Sequence, residues 1–366
     1  MIDLKEKAVL HDARIFGPMS EFEHEQVMLC HDKSTGLKAI IAIHNTILGP
    51  GLGGTRFFNY SSENDALRDV LRLSRGMTYK AAISGLNLGG AKAVIIGDPK
   101  TLKSEGLFRK FGRFIENLNG KYITAEDVGT TTRDMEYISM ETKHVVGLPE
   151  IKGGGGDPSP VTAYGVFMGM KASAKYVYGS DSLKGKTIAV QGIGKVGYHL
   201  VEYLYKEGAK IYISDINTVQ LQKAAKEFGA IVVDGNDLFD LNVDIFAPCA
   251  MGAILNTDTI GRLKCSIISG AANNQLEHED EHGSMLKDKG IIYAPDFLIN
   301  AGGLINVYSE HTGYNRDIAM GQAENIYDTT LEILKTANSE DIHTQKAAIM
   351  LAENRLRQIK NVKSTI

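Results

Sequence analysis

The stretch KTIAVQGIGKVGYHLVEYLYKEGAKIYISD, residues 186–215, decides the fold of this chain. Its run Lys186–Gln191 is typical of a buried strand, Val196–Glu207 has apolar residues at helical spacing, and Lys210–Ser214 is a second apolar strand. Strands that alternate with helices predict a parallel sheet with helices on both faces. The stretch therefore predicts an α/β fold.

Three glycines with GxGxxG spacing separate the first strand from the helix. The first glycine permits a tight turn, the second lets a pyrophosphate approach the backbone, and the third lets helix and strand pack closely. The free N–H groups of the helix N-terminus favour an anion. Asp215, at the end of the second strand, could bind both ribose hydroxyls and would repel a 2′-phosphate, which favours NAD over NADP. We predict that the cofactor contacts Gly192, Gly194, Lys195, Val196, Gly197 and Asp215.

The alternation of strands and helices continues on both sides of this stretch. Downstream we predict a helix at Val219–Phe228 and short strands near Asp244–Ala247, Ser266–Gly270 and Ile291–Ala294. Upstream, strand-like runs at 37–45 and 91–98 alternate with helical patterns at Leu67–Arg75 and Leu107–Leu118. The stretch Gly153–Pro160 has four glycines and two prolines, so we predict an irregular joint without helix there. The predicted divisions are therefore 1–148, 149–340 and a last helical segment, 341–366.

Composition agrees with an α/β protein of two domains and excludes several other classes. A chain of 366 residues is too long for one typical hydrophobic core, and a net charge of −4 does not suit a nucleic-acid binder. No apolar run is long enough for a membrane span, and the start MIDLKEKAVLHD lacks the apolar core of a signal peptide. The three cysteines have no ligand spacing, so we expect no metal site and a cytoplasmic location: Cys30, Cys249 and Cys265.

Two lysines and two acids stand in unusually apolar surroundings. In GMTYKAAISGLNLGGAK (76–92), Lys80 and Lys92 lie among small and apolar residues. A buried lysine near a second cation has a lowered pKa and could act as a base, while the other lysine could bind a carboxylate. The alternative is that both lysines extend to the surface. In YITAEDVGT (122–130), one acid could carry a proton, or the pair could be a helix cap with a solvated neighbour.

Eight segments in order resemble the glutamate/leucine/phenylalanine/valine dehydrogenase family, from about residue 25 to the final helix. The segments are LGPGLGGTR (48–56), residues 76–92, residues 122–130, PSPVTAYGV (158–166), VQGIGKVG (190–197), APCAMGA (247–253), AANNQL (271–276) and INAGGLINV (299–307). The resemblance implies a catalytic and oligomerisation domain followed by a Rossmann-type NAD-binding domain. It also implies an active site in the cleft between them, a last helix that returns to the first domain, and a homo-oligomer, typically an octamer.

The resemblance also implies roles for individual residues. Lys80 matches the ligand of the substrate carboxylate, Lys92 the catalytic lysine, and Asp127 the proton-transfer acid. Asn274 matches a substrate contact, and two residues match contacts to the nicotinamide end of the cofactor: Asn273 and Thr162. All three catalytic positions are filled, which argues against the alternative of a non-catalytic NAD-binding sensor.

The implied substrate is a branched-chain aliphatic L-amino acid, and leucine is the first choice among them. Glutamate-selective relatives carry a lysine where Leu52 stands, so glutamate would leave a buried charge unpaired here. The expected pocket wall is apolar or small: Leu52, Gly53, Met77, Ala125, Leu304 and Val307. Phenylalanine and valine stay open as preferred substrates, since one methylene changes such a preference by only about 1–3 kcal/mol. Two positions depart from the family pattern, where asparagine is usual: Asp157 and Lys195.

Overall fold

A computed structural model describes residues 15–311 and 313–363. The chain divides into two compact units, and we describe each by itself. The first contains the described residues up to Thr78 together with Leu88–Leu148, and the second contains Tyr79–Asn87 and the described residues from Pro149 onward. Within these residues, no helix is both long and apolar enough to cross a membrane. The N-terminal stretch on which the expectation of no signal peptide depends lies outside the described residues.

The first unit is built on a mixed sheet of five strands. The order is β1-β2-β4-β3-β5, and the bounds are β1 (Gln26–Asp32), β2 (Leu37–Asn45), β3 (Gly51–Phe58), β4 (Gly89–Ile96) and β5 (Tyr122–Glu126). Strand β2 is antiparallel to both β1 and β4, whereas β3 is parallel to both β4 and β5. The carboxyl ends of the three parallel strands therefore lie at one edge of the sheet, and the two predicted upstream strands are confirmed as β2 and β4.

Helices cover this sheet and bury its apolar side chains. They are α1 (Phe16–Glu21), α2 (Glu63–Ile83), α3 (Pro99–Leu102), α4 (Glu105–Glu116) and α5 (Thr132–Ser139). Helix α4 begins because the Ser104 hydroxyl accepts a hydrogen bond from the backbone N–H of Leu107 at 3.2 Å. One face of α4 is fully buried and packs with the aromatic core of the sheet: Leu107, Phe108, Phe111 and Ile115. The predicted helical spacing at Leu107–Leu118 is therefore confirmed up to Glu116.

The second unit contains an all-parallel sheet of six strands. The order is β11-β10-β9-β6-β7-β8, with bounds β6 (Thr187–Gln191), β7 (Lys210–Ser214), β8 (Ile231–Val232), β9 (Ile245–Pro248), β10 (Ile267–Ile268) and β11 (Ile292–Tyr293). Strands β7 and β8 lie on one side of β6, and β9, β10 and β11 lie on its other side. This reversal of strand order at β6 is that of a doubly wound Rossmann sheet. The predicted Rossmann-type fold is confirmed, and β7 has the predicted bounds.

Ten α-helices accompany this sheet among the described residues. They are α6 (Ser159–Tyr178), α7 (Lys195–Glu207), α8 (Thr218–Phe228), α9 (Thr257–Arg262), α10 (Glu279–Asp288), α11 (Asp296–Ile299), α12 (Gly302–His311), α13 (Arg316–Glu324), α14 (Ile326–Ser339) and α15 (Thr344–Lys363). The prediction of no helix through Pro160 is wrong for the last two residues. Ser159 and Pro160 form the first turn of α6, where a proline costs no hydrogen bond.

Candidate active site

Lys92 and Asp127 form an ion pair inside the first unit. Lys92 lies on β4 and Asp127 directly follows β5, the two strands that flank β3. The Lys92 Nζ is 2.9 Å from the Asp127 Oδ2, and the lysine side chain is only 8% exposed. The alternative that this lysine extends to the surface is therefore wrong. Of the two acids in 122–130, Glu126 is exposed, so Asp127 is the acid that pairs with the lysine.

Arg56 is part of the same cluster, and sequence reasoning missed it. Its Nε donates to the Asp127 Oδ2 at 3.0 Å, the same oxygen that Lys92 contacts. Its Nη1 donates to the Asp69 Oδ2 at 2.9 Å, and the Tyr60 hydroxyl donates to that oxygen at 2.7 Å. Arg56 ends the LGPGLGGTR segment, but nothing local in the sequence signals that it would face an acid 71 positions away.

Burial and charge move the pKa values of the pair in one direction. Burial lowers the pKa of the Lys92 amine, although the Asp127 carboxylate opposes that effect. Burial alone would raise the pKa of Asp127, but the charges of Lys92 and Arg56 outweigh it and hold that pKa below its usual range. The cluster therefore combines a lysine that loses its proton more readily than usual with a carboxylate that stays ionised.

The pocket residues expected in the first unit lie close to this pair in the sheet. Leu52 and Gly53 are on β3, and they pair with the β5 residues Ile123 and Thr124. A Cβ on Gly53 would stand 1.7 Å from the Ala91 carbonyl oxygen, so glycine is required there for the strands to approach. The Leu52 side chain is 1% exposed, Ala125 on β5 is buried and Met77 on α2 is half-buried. Their role as a substrate pocket stays a prediction.

The glycine loop of the second unit has the expected backbone geometry. Gly192 has a φ of 97°, a left-handed conformation that favours glycine. A Cβ on Gly197 would stand 2.0 Å from the Gly192 carbonyl oxygen, so this glycine permits the close packing of α7 on the loop. A Cβ on Gly194 would meet open space, and this is the point where a pyrophosphate would approach the N-terminus of α7. The loop can therefore hold a dinucleotide.

Asp215 holds the glycine loop through hydrogen bonds to the backbone. One carboxylate oxygen accepts a hydrogen bond from the backbone N–H of Ile193 at 2.5 Å, and the other accepts one from Asn217 at 2.7 Å. Lys195 is the first residue of α7 and forms an ion pair with Asp157. Its Nζ is 3.2 Å from the Asp157 Oδ2. The two departures from the family pattern are therefore partners of each other, which separate inspection of the two segments did not suggest.

The segment AANNQL forms a tightly held loop after β10. The Asn273 Oδ1 accepts from the Asn300 Nδ2 at 2.8 Å and from the Lys80 Nζ at 3.4 Å. Asn274 has a φ of 51°, an uncommon conformation outside glycine that asparagine tolerates. The backbone N–H of Gln275 donates to the Asp296 carboxylate at 3.0 Å, and burial raises the pKa of this 4% exposed acid. Lys80 thus contacts Asn273, and Asp296 anchors the loop that carries Asn273 and Asn274.

The remaining expected contacts of the second unit lie on three helices. Thr162 is in the first turn of α6, where its hydroxyl donates to the Pro158 carbonyl at 2.9 Å. Leu304 and Val307 are on α12, and Leu304 is 7% exposed. Val196, the second residue of α7, is half-buried.

Two family models match most of the chain. Residues 24–144 match the Glu/Leu/Phe/Val dehydrogenase dimerisation domain, and residues 153–363 match Glutamate/Leucine/Phenylalanine/Valine dehydrogenase. Each model covers a large part of one of the two units, and together they include every residue of the candidate site.

Individual proteins are similar over nearly their full length. The leucine dehydrogenase of Thermoactinomyces intermedius is 54% identical over 96% of both chains. The phenylalanine dehydrogenase of Bacillus thermotolerans is 48% identical over 96% of this chain and 93% of its own. The crystal structure of L-tryptophan dehydrogenase from Nostoc punctiforme has a TM-score of 0.86 at 48% identity, covering 94% of this chain and 99% of that one.

Proposed function

The chain belongs to the Glu/Leu/Phe/Val dehydrogenase family and is an amino-acid dehydrogenase; from this premise we propose that it oxidatively deaminates L-leucine with NAD. The reaction converts the amino acid, NAD and water into a 2-oxo acid, ammonium, NADH and a proton, and it is reversible. Enzymes of this family are NAD(P)-dependent, and the preference for NAD is part of the proposal.

The observation that carries the proposal is the buried contact between the Lys92 Nζ and the Asp127 carboxylate at 2.9 Å. A lysine is seldom buried without a function, because desolvation disfavours its charge. A lysine that loses its proton readily can activate a water molecule near neutral to alkaline pH. Deamination needs such a base, since water must attack the imine carbon of the oxidised substrate.

The chain's own residues divide the work as follows. Lys80 binds the α-carboxylate of the amino acid as a charge-assisted pair. Bound NAD supplies the acceptor for the α-hydride. Lys92 in its neutral form takes a proton from the water that attacks the imine carbon. Asp127 exchanges protons with the substrate nitrogen, which leaves as ammonia. Positioning and fixed charge provide most of the rate enhancement.

The chemistry of the glycine loop supports NAD as the cofactor. Gly194 leaves open space for a pyrophosphate at the N-terminus of α7. Asp215 uses one lone pair of each carboxylate oxygen on backbone N–H groups, which leaves acceptor capacity for ribose hydroxyls. A 2′-phosphate at the same position would meet a negative charge, and this disfavours NADP.

The absence of a cation at Leu52 supports an aliphatic substrate. Leu52 is almost fully buried, so a carboxylate side chain beside it would be desolvated without a partner. The other expected wall residues add no charge: Gly53, Met77, Ala125, Leu304 and Val307. Relatives that are named for leucine, tryptophan and phenylalanine have comparable identities, so the choice of leucine depends on this wall.

A substrate panel tests the proposal. Purified protein is mixed with NAD at alkaline pH and with leucine, valine, isoleucine, phenylalanine, tryptophan or glutamate, and NADH absorbance is followed. We expect the highest kcat/KM with leucine, lower values with valine and isoleucine, and no reaction with glutamate. A higher value with an aromatic amino acid would contradict the pocket assignment but not the mechanism. No NADH with any amino acid, from protein that binds NAD, would contradict the mechanism as well.

The assembly state remains a prediction that follows from the family. Light scattering of the purified protein would test the expected homo-octamer, and a monomer would contradict it.

A further inference from the structure

We propose that Arg56 is a positioning residue that keeps Asp127 ionised while Lys92 gives up its proton. This inference rests on the proposed deamination, in which Lys92 must be neutral to activate water. Arg56 lies on β3, between β4, which carries Lys92, and β5, which Asp127 directly follows.

Two cations share one carboxylate oxygen in this cluster. The Lys92 Nζ and the Arg56 Nε lie 2.9 and 3.0 Å from the Asp127 Oδ2. The Lys92 side chain is 8% exposed, and those of Arg56 and Asp127 are each 22% exposed, so water screens these charges poorly. Each charge therefore has a strong influence on the other two.

The arrangement matters when Lys92 loses its proton. With Lys92 alone, deprotonation would leave the Asp127 carboxylate buried without a counter-charge, a state that proteins avoid. Arginine stays charged throughout the pH range of any enzyme assay. Arg56 therefore remains as the partner of Asp127, and its positive charge also disfavours the charged form of the neighbouring lysine.

Asp69 fixes Arg56 and has the opposite electrostatic effect. The Asp69 Oδ2 accepts from the Arg56 Nη1 and from the Tyr60 hydroxyl, while its Oδ1 accepts from Arg72 at 3.2 Å. The negative charge of Asp69 favours a charged lysine nearby. Arg72 contacts only the outer oxygen and is 52% exposed, so water screens its effect on Lys92.

Other titratable groups near the cluster do not change charge in the pH range of the test. Burial lowers the pKa of His24 to about 4 and that of His44, on β2, to about 3, so both are neutral in the assay. Burial raises the pKa values of Tyr60 and of Tyr122, on β5, above their usual range. Burial lowers the pKa of Lys92, so we expect this lysine to determine the pH dependence of the cluster.

The pH dependence of kcat/KM for leucine tests the role of Arg56. In Arg56→Met, the midpoint of the acid limb should move to higher pH by about one to two units, the effect of one unit charge at this range in a poorly screened site. In Asp69→Asn, which retains hydrogen-bonding groups, the midpoint should move to lower pH. Arg56→Lys, which retains the charge, and Arg72→Met are the matched controls, and both should stay close to the wild-type midpoint.

Opposite shifts in the two test variants are the signature of an electrostatic role. A purely structural role would lower kcat in both variants and leave both midpoints in place, and that result would overturn the proposal. If Arg56→Met does not fold, an unmoved midpoint in Asp69→Asn would overturn it equally.

A second readout does not depend on turnover. The rate at which acetic anhydride modifies Lys92, followed by peptide mass spectrometry across a pH series, reports the fraction of neutral amine. Its midpoint should shift in each variant as the kinetic midpoint does, and an unchanged midpoint in Arg56→Met would contradict the proposal. A wild-type protein that oxidises no amino acid would refute the proposed function, while the labelling midpoints would still decide whether Arg56 acts on Lys92.

Discussion

Substitution of Lys92 by methionine separates the catalytic role of this residue from its structural role. Methionine has a similar length and no charge, so it can fill the buried position of Lys92 on β4. The change removes the amine 2.9 Å from Asp127 but leaves the Arg56 Nε 3.0 Å from the same oxygen. The variant therefore loses the base while the carboxylate keeps one partner.

Lys92→Met should affect stability and turnover by different magnitudes. Removing one partner of a buried ion pair typically costs about 3–5 kcal/mol when the other charge is left alone. Because Arg56 still pairs with Asp127, we expect the free energy of unfolding to fall by less than about 2 kcal/mol. Loss of a general base lowers turnover by about 10²- to 10⁴-fold, so kcat should fall by at least about 10²-fold.

Lys103→Met is a matched control from the same unit. Lys103 pairs with the buried carboxylate of Asp134, which also forms the capping box at the start of α5 with Thr131. We expect this variant to lose about 1 kcal/mol of stability and to retain wild-type turnover, because the pair is outside the proposed active site. The two variants should thus lose similar amounts of stability, whereas only Lys92→Met should lose turnover.

Three measurements decide the outcome for Lys92→Met. NADH absorbance gives kcat with the best amino acid, calorimetry gives the affinity for NAD, and urea unfolding gives the stability. Turnover within tenfold of wild type would refute the assignment of Lys92 as the base. If the variant loses both NAD binding and turnover, the substitution has damaged the structure and not only the chemistry.

Two further substitutions test the cofactor site. Asp215→Asn should reduce the preference for NAD over NADP, measured as the ratio of kcat/KM values, by about tenfold or more, which corresponds to 1.4 kcal/mol; the amide oxygen can still accept from Ile193, and an unchanged ratio would exclude Asp215 from cofactor selection. The Lys195–Asp157 pair, 3.2 Å apart, should compete with the pyrophosphate, so in calorimetry with ADP-ribose Lys195→Asn should weaken binding and Asp157→Asn should strengthen it, each by about a few-fold. The double variant should return towards wild type, and single variants that change affinity in the same direction would contradict this.

Local sequence patterns were sufficient to predict the Rossmann-type fold. The predicted second strand coincides with β7, and the predicted helix at Val196–Glu207 differs from α7 by one residue at its start. These features depend on periodicity within about fifteen residues and on glycines whose backbone needs are local, as at Gly192. The mixed strand order of the first unit was not predicted, because strand pairing over long separations leaves no local pattern.

The candidate site divides in the same way. Lys92 and Asp127 could be chosen from their apolar segments and from the family resemblance, because the residue types carry the chemistry. The contact of Arg56 with Asp127 joins residues 71 positions apart. The ion pair of Lys195 with Asp157 joins two separate segments, and neither segment alone predicts the contact. Sequence alone thus determined the fold class, the cofactor motif and the expected reaction. Only the tertiary structure decided which charges neutralise one another, because that depends on strand order and side-chain direction, which bring distant residues within 3 Å or so of a shared oxygen.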